Sequence, residues 1–134
     1  MDTQQEQLTQ ELLNSLPGFT GTESYTRLRY PFMKTVLLMT DGAKYLADTA
    51  KAYWLMDAIA SYQIYPKVST EPFQVRKLVV NDGRKATFTC TDGNFIHLSK
   101  MEIEYTDFPL PEITLYAEQS DYLGGRVIML PTEY

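Results

Sequence analysis

One segment organises this chain: Thr40-Asp41-Gly42-Ala43-Lys44-Tyr45-Leu46-Ala47-Asp48-Thr49-Ala50, continued by Lys51-Ala52-Tyr53-Trp54-Leu55-Met56-Asp57-Ala58-Ile59-Ala60-Ser61-Tyr62-Gln63. Its apolar side chains recur at helical spacing, which predicts one long helix over 41–63 with Asp41 as the N-cap and an end before Pro66. The alanines of this helix allow close approach to a sheet. Its second half is almost entirely apolar and contains a single carboxylate, Asp57.

The remainder of the chain predicts a second helix and a sheet. An N-terminal helix is expected over 1–17, with Leu8, Leu12 and Leu16 on one apolar stripe. Short strands are expected at 25–30 and 32–39, and turn signals within 72–131 indicate further antiparallel strands. We therefore predict a single α+β domain over 1–134. An antiparallel sheet of about five strands packs against the long helix, with the N-terminal helix beside it.

Two turn signals predict the strand register. A three-residue loop at Asn81-Asp82-Gly83 places Arg76 on the same apolar face as Cys90. A two-residue turn at Asp92-Gly93 then sets Phe95 opposite Cys90 and His97 opposite Phe88. In this register the only Cys and the only His are diagonal neighbours about 7–8 Å apart, too far for a nucleophile pair.

Length and composition exclude several classes of protein. The chain has 134 residues, of which 44% are hydrophobic and 22% charged, as in one globular domain. No apolar run approaches the roughly 20 residues that span a bilayer, and the polar, acidic first residues differ from a secretory signal. A single cysteine excludes internal disulfides, so we expect a cytoplasmic protein without membrane contact. No spacing of zinc ligands and no phosphate-binding loop is present, so we expect no metal and no cofactor.

The net charge of −5 is segregated along the chain. Residues 1–24 carry four acids and no base, residues 25–101 carry eleven bases and six acids, and residues 102–134 carry seven acids and one base. One interpretation is a mixed surface on which the charges interleave. The other is an acidic face that binds a basic protein partner, and it predicts these contact residues: Glu102, Glu104, Asp107, Glu112, Glu118 and Asp121. Direct binding of nucleic acid is not expected of so acidic a chain.

Asp57 is the one candidate for catalysis. As a general acid or base it would lie in a pocket between helix and sheet, together with Tyr45, Tyr53, Trp54 and His97. The alternative is a structural pair with an arginine or a tyrosine hydroxyl, or exposure on the outer side of the helix. No second carboxylate of defined geometry accompanies it, which favours a protein that is not an enzyme.

Two further segments carry a resemblance: Tyr105-Thr106-Asp107-Phe108-Pro109-Leu110-Pro111-Glu112-Ile113 and Leu130-Pro131-Thr132-Glu133-Tyr134. Together with residues 40–47 and 52–61, they resemble a family of short bacterial proteins, domain of unknown function 6876. The resemblance implies no activity. It implies a bacterial protein that is not secreted, and it favours a role on a mobile genetic element.

Three hypotheses of function follow. The leading one is a non-catalytic protein-binding module, a phage- or plasmid-type inhibitor of a host nucleic-acid-targeting defence complex that acts through its acidic C-terminal third. The second is a small-ligand-binding protein or enzyme that uses Asp57 in a pocket between helix and sheet. The third is an accessory protein that self-associates as a homodimer.

Overall fold

The chain folds into helices and strands within residues 3–134, the part that this computed structural model describes. The helices are α1 (Thr3–Ser15), α2 (Asp41–Thr49), α3 (Tyr53–Tyr62) and α4 (Pro66–Ser69). The strands are β1 (Thr26–Tyr30), β2 (Thr35–Met39), β3 (Phe73–Val80), β4 (Ala86–Thr91), β5 (His97–Ile103), β6 (Glu112–Ser120) and β7 (Gly125–Met129). The predicted N-terminal helix is confirmed over Thr3–Ser15, and its predicted first two residues lie outside the described part of the chain.

The predicted single long helix is wrong, because it is two helices. α2 ends at Thr49 and α3 begins at Tyr53, since Lys51 adopts a left-handed backbone with φ of 53°. One straight helix over 41–63 would extend roughly 35 Å, whereas strands of this sheet extend about 17–30 Å. The break lets both halves bury their apolar faces, and Ala52 within it is fully buried. The N-cap is Thr40 rather than Asp41, because the Thr40 hydroxyl accepts the N–H of Ala43 at 3.2 Å.

The sheet also departs from the prediction in size and direction. Its seven strands run in the order β1-β2-β7-β6-β3-β4-β5, rather than as about five antiparallel strands. β1 and β2 join it as a hairpin, and β2 pairs in parallel with β7, where Leu38 lies opposite Val127. A parallel pair needs a long connection, which the helices and the strands β3 to β6 supply. The class is α+β in a single domain, as predicted.

One predicted face is confirmed and one predicted register is wrong. Arg76 shares a face with Cys90 as expected, and the two lie opposite one another, although the loop lies one residue further along the chain, at 82–84, which pairs Val80 with Ala86. Between β4 and β5, however, Cys90 lies opposite Ser99. The turn is longer than two residues because the Asp92 carboxylate accepts the N–H groups of residues 94 and 96, at 2.7 and 3.2 Å. His97 is consequently exposed and shares no apolar face with the buried Cys90.

The helices cover one face of the sheet. Leu12, Leu46, Leu55 and Ile59 from three helices pack there in one core with strand residues such as Leu115, and all five are fully buried. The opposite face carries a second, smaller cluster: Leu38, Val127 and Met129, packed beneath Tyr116 and Leu123. No helix within residues 3–134 is long and apolar enough to cross a membrane.

Candidate functional site

Four of the six predicted contact acids lie at one end of the sheet. In one row across the strands, Glu112 lies opposite Val79, Val79 opposite Thr87, and Thr87 opposite Glu102. Glu104 and Asp107 follow in the segment 104–111, which leaves β5 at the same end and leads into β6. Glu102 and Glu112, ten positions apart in the chain, thus lie in the same row across four strands.

The segment 104–111 is held in place by hydrogen bonds to the β3–β4 turn and to α1. The Arg84 guanidinium donates to the backbone oxygens of Thr106 at 2.9 Å and Phe108 at 2.6 Å, and the N–H of Thr106 donates to the Arg84 oxygen at 2.8 Å. From α1, the Thr9 hydroxyl donates to the Pro109 oxygen at 2.7 Å. Because Arg84 bonds to neutral carbonyls, its charge is not paired with a carboxylate within the described residues.

Two more acids join this end of the sheet. Glu6 and Asp82 line a shallow cavity with Pro109 and Pro111, directly beside Glu112. We define the acidic end by its six carboxylates: Glu6, Asp82, Glu102, Glu104, Asp107 and Glu112. This group is therefore assembled from α1, the β3–β4 turn, β5 and the segment that follows it, and the start of β6.

Only part of the acidic end is neutralised by lysines. Lys100 approaches Glu102 at 3.2 Å and Lys77 approaches Glu112 at 3.8 Å, and such exposed pairs contribute about 0–1 kcal/mol each. Glu104 and Asp107 are exposed, and neither forms an ion pair within residues 3–134. Glu104 and Asp107 are therefore available to a partner without first breaking an ion pair.

An exposed aromatic side chain stands between these two free carboxylates. Tyr105 is 70% exposed. With Trp54, Ile103 and Asp107 it lines a cavity of about 300 Å³. Trp54, predicted to lie in a pocket with Asp57, thus faces the acidic end instead. An aromatic side chain ringed by charge is typical of protein interfaces.

Glu118 and Asp121 are not part of the acidic end. Glu118 lies six residues further along β6 than Glu112, which is about 20 Å along a strand. Asp121 follows in the turn before β7. The six predicted contact residues therefore do not form one continuous row.

The predicted pocket around Asp57 is not assembled. Asp57 is exposed on the outer side of α3, and its carboxylate accepts the hydroxyl of Tyr30 at 2.8 Å. Tyr45 donates to Glu11 at 3.1 Å, Tyr53 donates to a carboxylate on α2, and His97 stands exposed at the start of the edge strand β5. The arrangement matches the structural alternative for Asp57, a partner of a tyrosine hydroxyl.

A buried polar cluster that the sequence did not predict lies beneath α3 and α4. Gln74 and Cys90 are fully buried, and Arg76 and Arg126 are 1% and 3% exposed. Arg76 donates to the Gln74 side chain at 3.2 Å, while its Nε has no hydrogen-bond partner. The only signal in the sequence was the predicted position of Arg76 on the apolar face, beside Cys90.

Arg126 is held by backbone carbonyls rather than by a carboxylate. Its guanidinium donates to the oxygens of Ser69, Glu71, Pro72 and Ala117 at 3.2 to 3.3 Å. Burial lowers the pKa of both buried guanidinium groups, and their mutual repulsion lowers that of Arg126 further. Burial also raises the pKa of the nearby thiol, Cys90, which keeps it neutral.

A cavity of about 370 Å³ opens beside Arg126. Its charged and polar lining comprises Lys34, Thr35, Gln63, Ser69, Gln119 and Arg126. No carboxylate belongs to this lining. Within residues 3–134 no three His, Cys, Asp or Glu side chains come together in a way that could hold a metal ion.

Comparison with known proteins identifies the family but no activity. The model of a family of unknown function, DUF6876, matches residues 10–134. Because the match covers nearly the whole chain, this protein belongs to that family. No curated protein and no solved structure shows significant similarity to it.

Proposed function

We propose that this protein is a non-catalytic protein-binding module whose acidic end contacts a basic surface of its partner. The observation that carries the proposal is the presence of six carboxylates from four separate parts of the chain at one end of the sheet, with the exposed Tyr105 between two of them, Glu104 and Asp107. Such a surface offers an exposed aromatic side chain as an anchor and carboxylates for electrostatic steering.

The rigidity of the segment 104–111 supports this proposal. Arg84 and Thr9 hold its backbone from two sides, so Glu104, Tyr105 and Asp107 are presented in one geometry before any partner arrives. Preorganised contact residues lose less conformational entropy on association, which raises affinity without further contacts.

The charge of the acidic end indicates the kind of partner. A protein groove that holds nucleic acid is lined with Lys and Arg, and rows of carboxylates are complementary to it. We propose a bacterial, cytoplasmic nucleic-acid-targeting complex as the partner, and an inhibitor role on a phage or plasmid for this chain. The protein would then compete with nucleic acid for the groove.

The proposal is tested by affinity capture from nuclease-treated bacterial lysate with two matched variants. Glu104→Lys/Asp107→Lys reverses two charges at the acidic end, and Glu118→Lys/Asp121→Lys makes the same change in charge outside it. We expect a stoichiometric partner to be lost with the first variant and retained with the second. Oligonucleotides should displace that partner from the unmodified protein. Equal capture by both variants, or the lack of any partner, would contradict the proposal.

Light scattering of the purified protein tests the homodimer alternative. A binding module of this kind gives a mass near 15.4 kDa in isolation. A mass twice as large that falls to the monomer value in Glu104→Lys/Asp107→Lys would identify a second copy of this chain as the partner.

A further inference from the structure

Two buried guanidinium groups lie close to one another with no carboxylate bound to either. Neither Arg76 nor Arg126 forms an ion pair within residues 3–134. The Glu71 carboxylate raises the pKa of Arg126 electrostatically, but it is partly exposed and lies beyond ion-pair distance. A buried charge normally has a partner of opposite sign, since desolvation of an unpaired ion is costly. The cluster therefore lacks a counterion.

The lining of the cavity beside Arg126 suits an anion. Arg126 lies in its wall, and Lys34 stands exposed at its rim. Hydroxyl groups come from Thr35 and Ser69, and the amide of Gln119 lies opposite Arg126 on the neighbouring strand. Two positive charges and no negative charge line the space.

Two amide side chains, the buried Gln74 and the half-buried Gln63, connect the second guanidinium to the cavity. Gln63 lines the cavity and donates to the Gln74 side chain at 3.2 Å. The same Gln74 oxygen accepts Arg76 at 3.2 Å. Arg76 is thus linked to the wall of the cavity through two amide side chains.

We propose that this cavity binds the phosphate group of a small molecule. A phosphate dianion matches the two positive charges of Lys34 and Arg126, and its oxygens accept hydrogen bonds from the Ser69 hydroxyl and the Gln119 amide. The Thr35 hydroxyl and the Gln63 amide already donate within the protein. A volume of about 370 Å³ exceeds that of phosphate alone and falls within the range of ligand pockets, so a phosphate monoester with a small organic part fits. Inorganic phosphate shares the same chemistry.

The site is independent of the acidic end. Gln119 lies near the end of β6, and the acidic end lies at the start of that strand. Reversal of charge at residues 104 and 107 therefore leaves phosphate binding intact, and changes in the cavity leave capture of a protein partner intact.

Titration calorimetry at constant ionic strength tests the proposal, with inorganic phosphate and glycerol 3-phosphate as separate probes and chloride as the control anion. Gln119→Glu places a carboxylate opposite Arg126, where it acts as the counterion in place of phosphate. The matched control is Gln10→Glu, which makes the same chemical change on the exposed face of α1.

We expect saturable binding by the unmodified protein and by Gln10→Glu, and a loss of affinity of about tenfold or more in Gln119→Glu. The melting temperature of Gln119→Glu without phosphate should rise, because the buried charge gains a partner. Tighter binding of glycerol 3-phosphate identifies a monoester as the ligand, and equal binding identifies phosphate alone. Lack of saturable binding of both probes, or equal affinity in the two variants, would overturn the proposal.

Discussion

The carboxylate of Glu133 accepts the backbone N–H of Gly42 at 2.9 Å across 91 positions of the chain. Its other oxygen accepts the Thr40 hydroxyl at 2.6 Å and the N–H of Leu130 at 2.9 Å. A negative group at this point satisfies a free N–H of the first turn of α2 and interacts favourably with the helix dipole. Hydrogen bonds therefore hold the segment after β7 against the start of α2.

The first prediction concerns this contact. We expect Glu133→Ala to lower the free energy of unfolding by about 1–2 kcal/mol, because N–H and O–H donors of three residues lose their acceptor. Urea denaturation measures the change. Glu104→Ala is the control, since Glu104 is exposed and should shift stability by less than about 0.5 kcal/mol. Equal effects of the two substitutions would show that the contact adds no stability.

A second prediction follows from the space around Gly42. A Cβ built at this position lies 2.6 Å from a carboxylate oxygen of Glu133 and 2.7 Å from a methyl carbon of Leu130. Gly42→Ala should therefore destabilise the protein by about 1–3 kcal/mol, although alanine is the better helix former. In the Glu133→Ala background the cost should fall, because one of the two obstructing side chains is gone. A double-mutant cycle in urea measures this coupling.

The third prediction contrasts the two buried arginines. Arg76→Met should retain or gain stability, by up to about 2 kcal/mol, because one hydrogen bond is lost while a costly buried charge is removed. Arg126→Met should lose about 2 kcal/mol or more, because four carbonyls lose their common donor. Chemical denaturation of both variants checks the difference. A larger loss in Arg76→Met than in Arg126→Met would contradict this assignment.

The fourth prediction concerns the break between α2 and α3. Lys51 has a φ of 53°, a region that glycine adopts without a steric penalty. Lys51→Gly should raise the free energy of unfolding by about 0.5–1 kcal/mol. Lys67→Gly, within α4, should lower it by a similar amount, because that lysine is helical. If both substitutions destabilise equally, the left-handed residue carries no strain.

The fifth prediction is a dependence of stability on alkaline pH. Burial raises the pKa of Tyr30, and the hydrogen bond to Asp57 raises it further. In the unfolded chain a tyrosine loses its proton near pH 10. Above that pH the unfolded state releases a proton that the folded state keeps, so stability falls as pH rises.

Tyr30→Phe should remove this part of the alkaline loss, and Asp57→Asn should reduce it. Thermal melts between pH 8 and about pH 11 measure the slopes. Tyr122→Phe is the control, because Tyr122 is 97% exposed. If the slope of stability against pH is unchanged in Tyr30→Phe, the pKa of the Tyr30 hydroxyl is not raised in the folded protein.

Features that depend on neighbouring residues were predictable from the sequence. The β3–β4 hairpin is an example, because the turn signal around Gly83 predicted that Arg76 and Cys90 share a face, and the two lie opposite one another. The sequence of the β4–β5 turn predicted a two-residue turn. Instead, the Asp92 carboxylate accepts the N–H groups of residues 94 and 96, which stabilises a longer loop. The Asp-Gly dipeptide does not distinguish a two-residue turn from a longer loop, since it is favourable in both.

The candidate site was predictable only in part. The acidic character of residues 102–112 was visible in the sequence, whereas Glu6 and Asp82 joined them through packing of α1 and of the β3–β4 turn. Asp57 drew attention because its neighbours are apolar, yet it lies on the exposed side of α3. Helical periodicity does not show which side of a mostly apolar helix faces solvent.

The amino-acid sequence by itself determined the α+β class, most strand positions and the family, because apolar periodicity, turn residues and motifs are local properties. Tertiary structure alone decided the break at Lys51, the parallel pairing of β2 with β7, the division of the acidic residues and the burial of Arg76 and Arg126. Each of these depends on contacts between residues that are distant in the chain. The free energies of such contacts follow from which elements become neighbours, and local pattern does not encode that order.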